Sequence, residues 1–126
     1  MKIERKFTRE NADAYESLEF RRVSSEIRNP DGTVVFSLDD VEVPTGWSQV
    51  ASDVLAQKYF RKAGIAAALK KVAEKGVPEF LWRSVPDEKA LEKLPEDQRF
   101  GGETSSKQVF DRLAGAWTYW GWKGGN

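Results

Sequence analysis

Asn29-Pro30-Asp31-Gly32 constrains the shape of this chain more than any other short stretch. Proline presets φ at the second position of a turn, and glycine accepts the positive φ that a later position needs, so the backbone reverses here. On either side apolar residues alternate with polar ones: Leu18 and Phe20, then Val23 and Ile27, before the turn, and Val34, Phe36 and Leu38 after it. A period of two marks a half-buried strand, and residues 18–43 are predicted to form a β-hairpin. Both arms also change phase, because Phe20 to Val23 and Leu38 to Val41 are odd steps. A strand can move its apolar side to the opposite face only through a bulge or bend. The region is therefore predicted to be a bent hairpin, or two short hairpin segments, with one face packed on helices.

Beyond it the period changes. Pro44-Thr45-Gly46 ends the second strand, and Thr45 or Ser48 can cap a helix on which Trp47, Val50, Ala51, Val54, Leu55 and Tyr59 form one apolar stripe before Gly64. The Ala- and Lys-rich run Ala66 to Lys75 is predicted as a second helix, with Gly76 as its stop. A short helix follows near Asp87 to Leu94, closed by Pro95. In the last helix Thr104 is the expected cap, with Glu103 beside the positive helix end, and Val109, Phe110, Leu113, Ala114 and Trp117 form its stripe. The expected core is Trp47, Val50, Val54, Leu55, Val109, Phe110 and Leu113. The fold class is α+β: an N-terminal bent β-hairpin packed against about four helices, in one domain over 1–126 with its helical part at about 47–122.

Composition narrows the chemistry. Neither cysteine nor histidine occurs, so this chain has no thiolate nucleophile, thiyl radical, disulfide, Cys/His zinc site or histidine base. Carboxylates and hydroxyls remain, without a visible activating arrangement, and no catalytic, cofactor-binding or metal-binding residue is assigned. Twenty basic side chains balance twenty acidic ones, so no overall field gathers polyanions. The basic runs at Lys58–Lys62 and Leu69–Lys71 read as solvated faces of helices. The start of the sequence shows no apolar signal region and no stretch is apolar enough to span a membrane, so a cytoplasmic protein is expected.

The aromatic residues raise a different question. Trp117, Tyr119, Trp120 and Trp122 crowd the end of the last predicted helix. Burying a large ring removes roughly 150–250 Å² from water, worth on the order of 4–6 kcal/mol at most, so these rings should be covered. Either they turn inward as core, or they form a contact surface for material outside this chain. Both readings are open at this level.

Three segments also resemble a known family: SSEIRNPDGTVVFSLDDVEVPTGWSQVASDVLAQKYFRKAGI, VPEFLWRSVPDEKAL and RFGGETSSKQVFDRLAGAWTYWGWKGG. In this order they are similar to the N-terminal region of bacterial class II, adenosylcobalamin-dependent ribonucleotide reductases, from about Glu19 to Gly125. Tyr59-Phe60, Glu103-Thr104 and the run Phe110 to Ala114 also resemble the lead-in to the catalytic barrel of ribonucleotide reductases in general. The resemblance implies a ribonucleoside-diphosphate reductase of DNA-precursor synthesis, with adenosylcobalamin, barrel cysteines and a thioredoxin-like reductant in the complete enzyme. None of the required cysteines is present here, so no catalytic residue carries over. This chain is then expected to be a non-catalytic N-terminal domain, truncated or split from a larger chain, that helps the barrel fold, assemble or dock. Its expected partners are the catalytic barrel, in the same chain or a separate subunit, and a second copy in a homodimer. Trp117, Tyr119, Trp120 and Trp122 are the expected interface, and Arg112 is a candidate to face a partner carboxylate or else an ordinary exposed arginine. Two other readings remain: a free-standing α+β interaction module, and a single-stranded nucleic-acid binder using Lys58, Arg61, Lys62 and Lys123, which the neutral net charge disfavours.

Overall fold

A computed structural model describes residues 4–125. Strand β1 (Phe20–Arg28) pairs antiparallel with β2 (Val34–Pro44), from Phe20 opposite Pro44 to Arg28 opposite Val34. Gly32 takes φ +88° in the predicted turn, and its N–H donates to the Asn29 carbonyl at 2.9 Å. The phase change in the second arm is also real, whereas the step from Phe20 to Val23 in the first is no bulge: residues 20–23 pair in unbroken register with 44–41, and Phe20 simply lies on the opposite face from Val23. Val23 faces Val41 while Ser25 faces Leu38, so β2 carries one residue more than β1 between these pairs, and Asp40 absorbs the bulge at φ +59°. The bend lets Val23, Val41 and Val43 face the interior, the last two fully buried.

Helix α1 (Gln49–Val54) starts at Ser48, whose hydroxyl accepts the Ala51 N–H at 3.1 Å. It runs directly into a π-helical turn over Leu55–Tyr59, and Phe60 follows in extended conformation. The wider turn places Leu55, Ala56 and Phe60 inside. Val50 and Val54 of the predicted core point outward instead, 72% and 45% exposed. Ser52 and Ala56, both fully buried, turn toward the interior in their place, beside Leu55. Small residues allow close approach of helix and hairpin, and Ser52 closes its own polar group onto the Ser48 carbonyl at 2.9 Å.

The helix expected at Ala66 to Lys75 does not form. In its place β3 (Ile65–Ala66) pairs with β6 (Phe100–Gly101), and β4 (Leu69–Lys71) pairs with β5 (Ser84–Pro86). Alanine and lysine favour helix, but propensity is a small term per residue, and ladder bonds from distant segments override it. A single 3₁₀ turn spans Glu79–Leu81, α2 (Glu88–Leu91) is capped by Asp87, and another 3₁₀ turn spans Glu96–Gln98. Helix α3 (Ser106–Lys123) is the last element, capped by Gly124.

Val23, Val41, Val43, Leu55, Phe60 and Val109 form the core, with Leu38, Trp47 and Leu113 packed against it. Trp47 meets Phe110 edge to face, ring centroids 5.7 Å apart. The hairpin, the α1–π segment and the first half of α3 thus share one sealed interior, and the architecture is α+β. Among the described residues, no helix is long and apolar enough to cross a membrane.

Candidate docking site

Helix α3 is anchored firmly at its start. The Glu42 N–H donates to the Thr104 carbonyl at 2.9 Å, which stitches the entry of α3 to the outer edge of β2. Ser105, one residue beyond the expected Thr104, is the cap. Its hydroxyl accepts the Lys107 N–H at 3.2 Å, while the Gln108 side chain accepts the Ser105 N–H at 3.0 Å and the Thr104 N–H at 2.8 Å. Thr104 thus contributes its backbone, and the capping hydroxyl belongs to its neighbour. The Ser105 hydroxyl donates to Glu42 at 2.7 Å and, with help from the charges of Lys107 and Arg22, holds that carboxyl below its usual range. The Lys107 ammonium lies over the Phe20 ring, 4.3 Å from its centroid. Tyr15 donates its phenol to Asp111 at 2.7 Å, and burial together with that bond raises its pKa well above the ordinary value.

One turn farther on, Arg112 grips Glu103. The Glu103 carboxylate, 2% exposed, accepts the Arg61 N–H at 2.8 Å and the Arg112 Nε at 3.2 Å. A second guanidinium nitrogen of Arg112 donates to the Tyr59 carbonyl at the end of the π-turn. The Glu103 N–H returns a bond to the Arg61 carbonyl at 2.9 Å. Gly102 permits this closeness, because a Cβ there would stand 3.1 Å from the carbonyl oxygens of Arg61 and Lys62. Arg112 therefore finds its carboxylate within the same chain, and its role is to clasp α3 to the segment 59–62. A buried carboxylate needs such a partner, because an unpaired charge there would be costly.

The second half of α3 is different. Trp117, Trp120 and Trp122 are 63%, 66% and 37% exposed, while Tyr119 is half-buried and packs against Trp122 at 6.0 Å. Beside them an open groove of about 1180 Å³ runs between α3 and residues 71–84. Tyr119 and Trp120 line it, whereas Trp117 and Trp122 do not. Phe80, 71% exposed, and Trp82 contribute from the other side. Trp82 is fixed by its indole N–H, which donates to the Val77 carbonyl at 2.9 Å.

Of the four aromatic residues singled out from sequence, the structure brings two to the groove and leaves all three tryptophans substantially wet. Phe80 and Trp82 escaped that reading because they lie in an irregular stretch with no helical or strand period. The basic side chains considered for nucleic acid are dispersed in their roles. Lys62 donates to the Ala56 carbonyl and sits over the Phe36 ring at 4.1 Å, where desolvation lowers its pKa, and Lys123 leans toward Tyr119. No group of carboxylates among the described residues could hold a metal ion.

Residues 21–126 match the family described as class II vitamin B12-dependent ribonucleotide reductase. The vitamin B12-dependent ribonucleotide reductase of Bradyrhizobium diazoefficiens is 70% identical over 125 residues, and that of Agrobacterium fabrum is 64% identical over 124. These alignments cover 99% and 98% of this chain but 10% of each relative. The chain spans about a tenth of the length of the curated relatives it matches, and it belongs to the class II vitamin B12-dependent ribonucleotide reductase family, as its N-terminal region.

Proposed function

We propose that this region is a non-catalytic platform of an adenosylcobalamin-dependent reductase that converts ribonucleotides to deoxyribonucleotides in the cytoplasm, and that its aromatic α3 face docks the catalytic body. The observation that carries this reading is the set of wet tryptophans at the end of a helix whose beginning is sealed. Covering an exposed indole of this kind gains about 4 kcal/mol at most, so several together supply a substantial share of a stable interface. The remaining nine-tenths of the relatives' length is the natural source of that cover.

The chain's own donors do not suit the cobalt of the cofactor. It has no imidazole and no thiolate, and the carboxylates lining the groove beside α3 are Glu74 on one wall and Asp111 on the other, set among rings, lysine and arginine. No step through cobalamin is therefore routed through these residues. The radical chemistry, the thiols that a thioredoxin-like donor would restore, and any homodimer contact belong to the complete enzyme.

The test uses the full-length Bradyrhizobium enzyme carrying this chain in place of its own matching tenth. Trp117→Ser combined with Trp120→Ser should make the N-terminal region more accessible to protease and lower the enzyme's thermal stability, while the isolated chain keeps its own melting temperature. Unchanged protease resistance and stability in the full-length protein would overturn the docking role. Deoxyribonucleotide formation by the isolated chain, supplied with adenosylcobalamin and a dithiol, would overturn the non-catalytic assignment.

A further inference from the structure

The groove itself carries more specific information than the exposed rings. Asp111, Ala114, Gly115 and Thr118 line it from α3, and their spacing places them on one face of that helix. At Gly115 an added Cβ would meet nothing within 4 Å, so the helix presents open space there. The backbone groups in the middle of α3 are bonded within the helix, so an extended strand laid against this wall would find no ladder partners on that side. A helix brings its own backbone bonds and needs only shape and apolar contact. Two turns of α-helix, about 11 Å long and 10–12 Å across, occupy roughly 850–1,200 Å³. The groove, about 1180 Å³ and open to solvent, has room for such a segment.

Building on the docking role above, we infer that the groove between α3 and residues 71–84 receives about two turns of α-helix from the remaining polypeptide of the same enzyme. The occupant packs its backbone close to Gly115 and lays apolar side chains between Phe80 on one side and Trp120 on the other. It comes from the nine-tenths of the relatives' length that this chain does not match. Helix-in-groove recognition of this kind reads a few apolar anchors one turn apart. Trp117 and Trp122, outside the lining, contribute less than Trp120 and Phe80.

Gly115→Leu tests this directly. Replacing glycine in a helix interior favours the helix, so the isolated variant should melt at the same temperature or higher while its groove is filled. Gly121→Leu serves as the control, because Gly121 also has open space around its Cβ position but does not line the groove. Amide exchange is measured on the isolated chain and on the full-length Bradyrhizobium enzyme carrying it. Residues 71–84 and 114–120 should exchange about tenfold or more slowly in the full-length enzyme, and Gly115→Leu should abolish that protection while Gly121→Leu keeps it. Cross-linking from position 115 should capture a helical segment of the remaining polypeptide. Protection confined to Trp117 and Trp122, or lost in Gly121→Leu alone, would overturn the groove and leave the docking role standing. Absence of protection anywhere on α3 would overturn both. Capture of a strand or loop, or a dimer of the isolated chain that Gly115→Leu dissociates, would overturn the helical occupant.

Discussion

Val109 and Trp117 lie about two turns apart on one continuous helix, yet the first is 1% exposed and the second 63%. Both stand on what the sequence marks as an apolar stripe. Around Val109 the hairpin, Leu55 and Phe60 supply neighbours, and Glu42 and Glu103 fasten the helix by its cap and by Arg112. Around Trp117 the chain offers little cover. The facing segment, residues 71–84, is a short two-stranded ladder with a single 3₁₀ turn, and the groove separates it from α3. The two halves show that an apolar stripe specifies what a helix can bury, whereas the surrounding topology decides how much of it is buried within the same chain.

The strongest way to break the sealed half is Arg112→Ala. It leaves the Glu103 carboxylate buried beside the Arg61 N–H without its cation, and should cost about 3–5 kcal/mol in urea unfolding of the isolated chain. A loss below about 1 kcal/mol would mean that solvent reaches Glu103 and that the clasp does not separate the halves. Val43→Ala opens a cavity in the fully buried core and should cost about 2 kcal/mol by the same measurement.

Ser105→Ala removes the helix cap and should cost about 1 kcal/mol near neutral pH. It should also change the response to acid. Glu42 has a folded-state pKa below its ordinary 4.5, so the stability it adds is complete above that value and is lost as pH falls through the folded-state pKa. Without the Ser105 hydroxyl that difference shrinks. The variant's deficit in melting temperature should therefore be smaller at about pH 3 than at pH 7. The smallest effect belongs to the open half: Trp117→Ala or Trp120→Ala should change the isolated chain's stability by no more than about 0.5 kcal/mol. A loss above about 2 kcal/mol would show that these rings are already packed, and the contrast between the halves would disappear.

Much of the sealed half was legible because its signals are local. The Asn29–Gly32 turn, the Leu38-to-Val41 step that became the bulge at Asp40, the Ser48 cap and the span of α3 all follow from residues close together in sequence. The burial of α1 was legible only in part. Hydrophobicity picked Val50 and Val54, while Ser52 and Ala56 face inward because close approach rewards small volume. The strands at 65–71 were hidden because their partners, 84–86 and 100–101, lie far along the chain and the local residues favour helix. At the candidate site, Tyr119 and Trp120 could be named from sequence. Phe80, Trp82 and Gly115 could not, because a groove is a relation between two segments and periodicity describes one at a time.

The π-turn at Leu55–Tyr59 gives chain length a tolerance here that a regular helix lacks. A π-turn holds one residue more than the α-helical turn it replaces, so deleting an exposed residue such as Lys58 would turn the bond from the Phe60 N–H to the Leu55 carbonyl into an ordinary helical one and leave the flanking segments in place. Phe60 would keep its pocket and the Arg61 N–H its bond to Glu103. The loss of one codon there should spare the clasp, while the same loss inside α3 between Val109 and Arg112 would rotate Arg112 by about 100° away from Glu103.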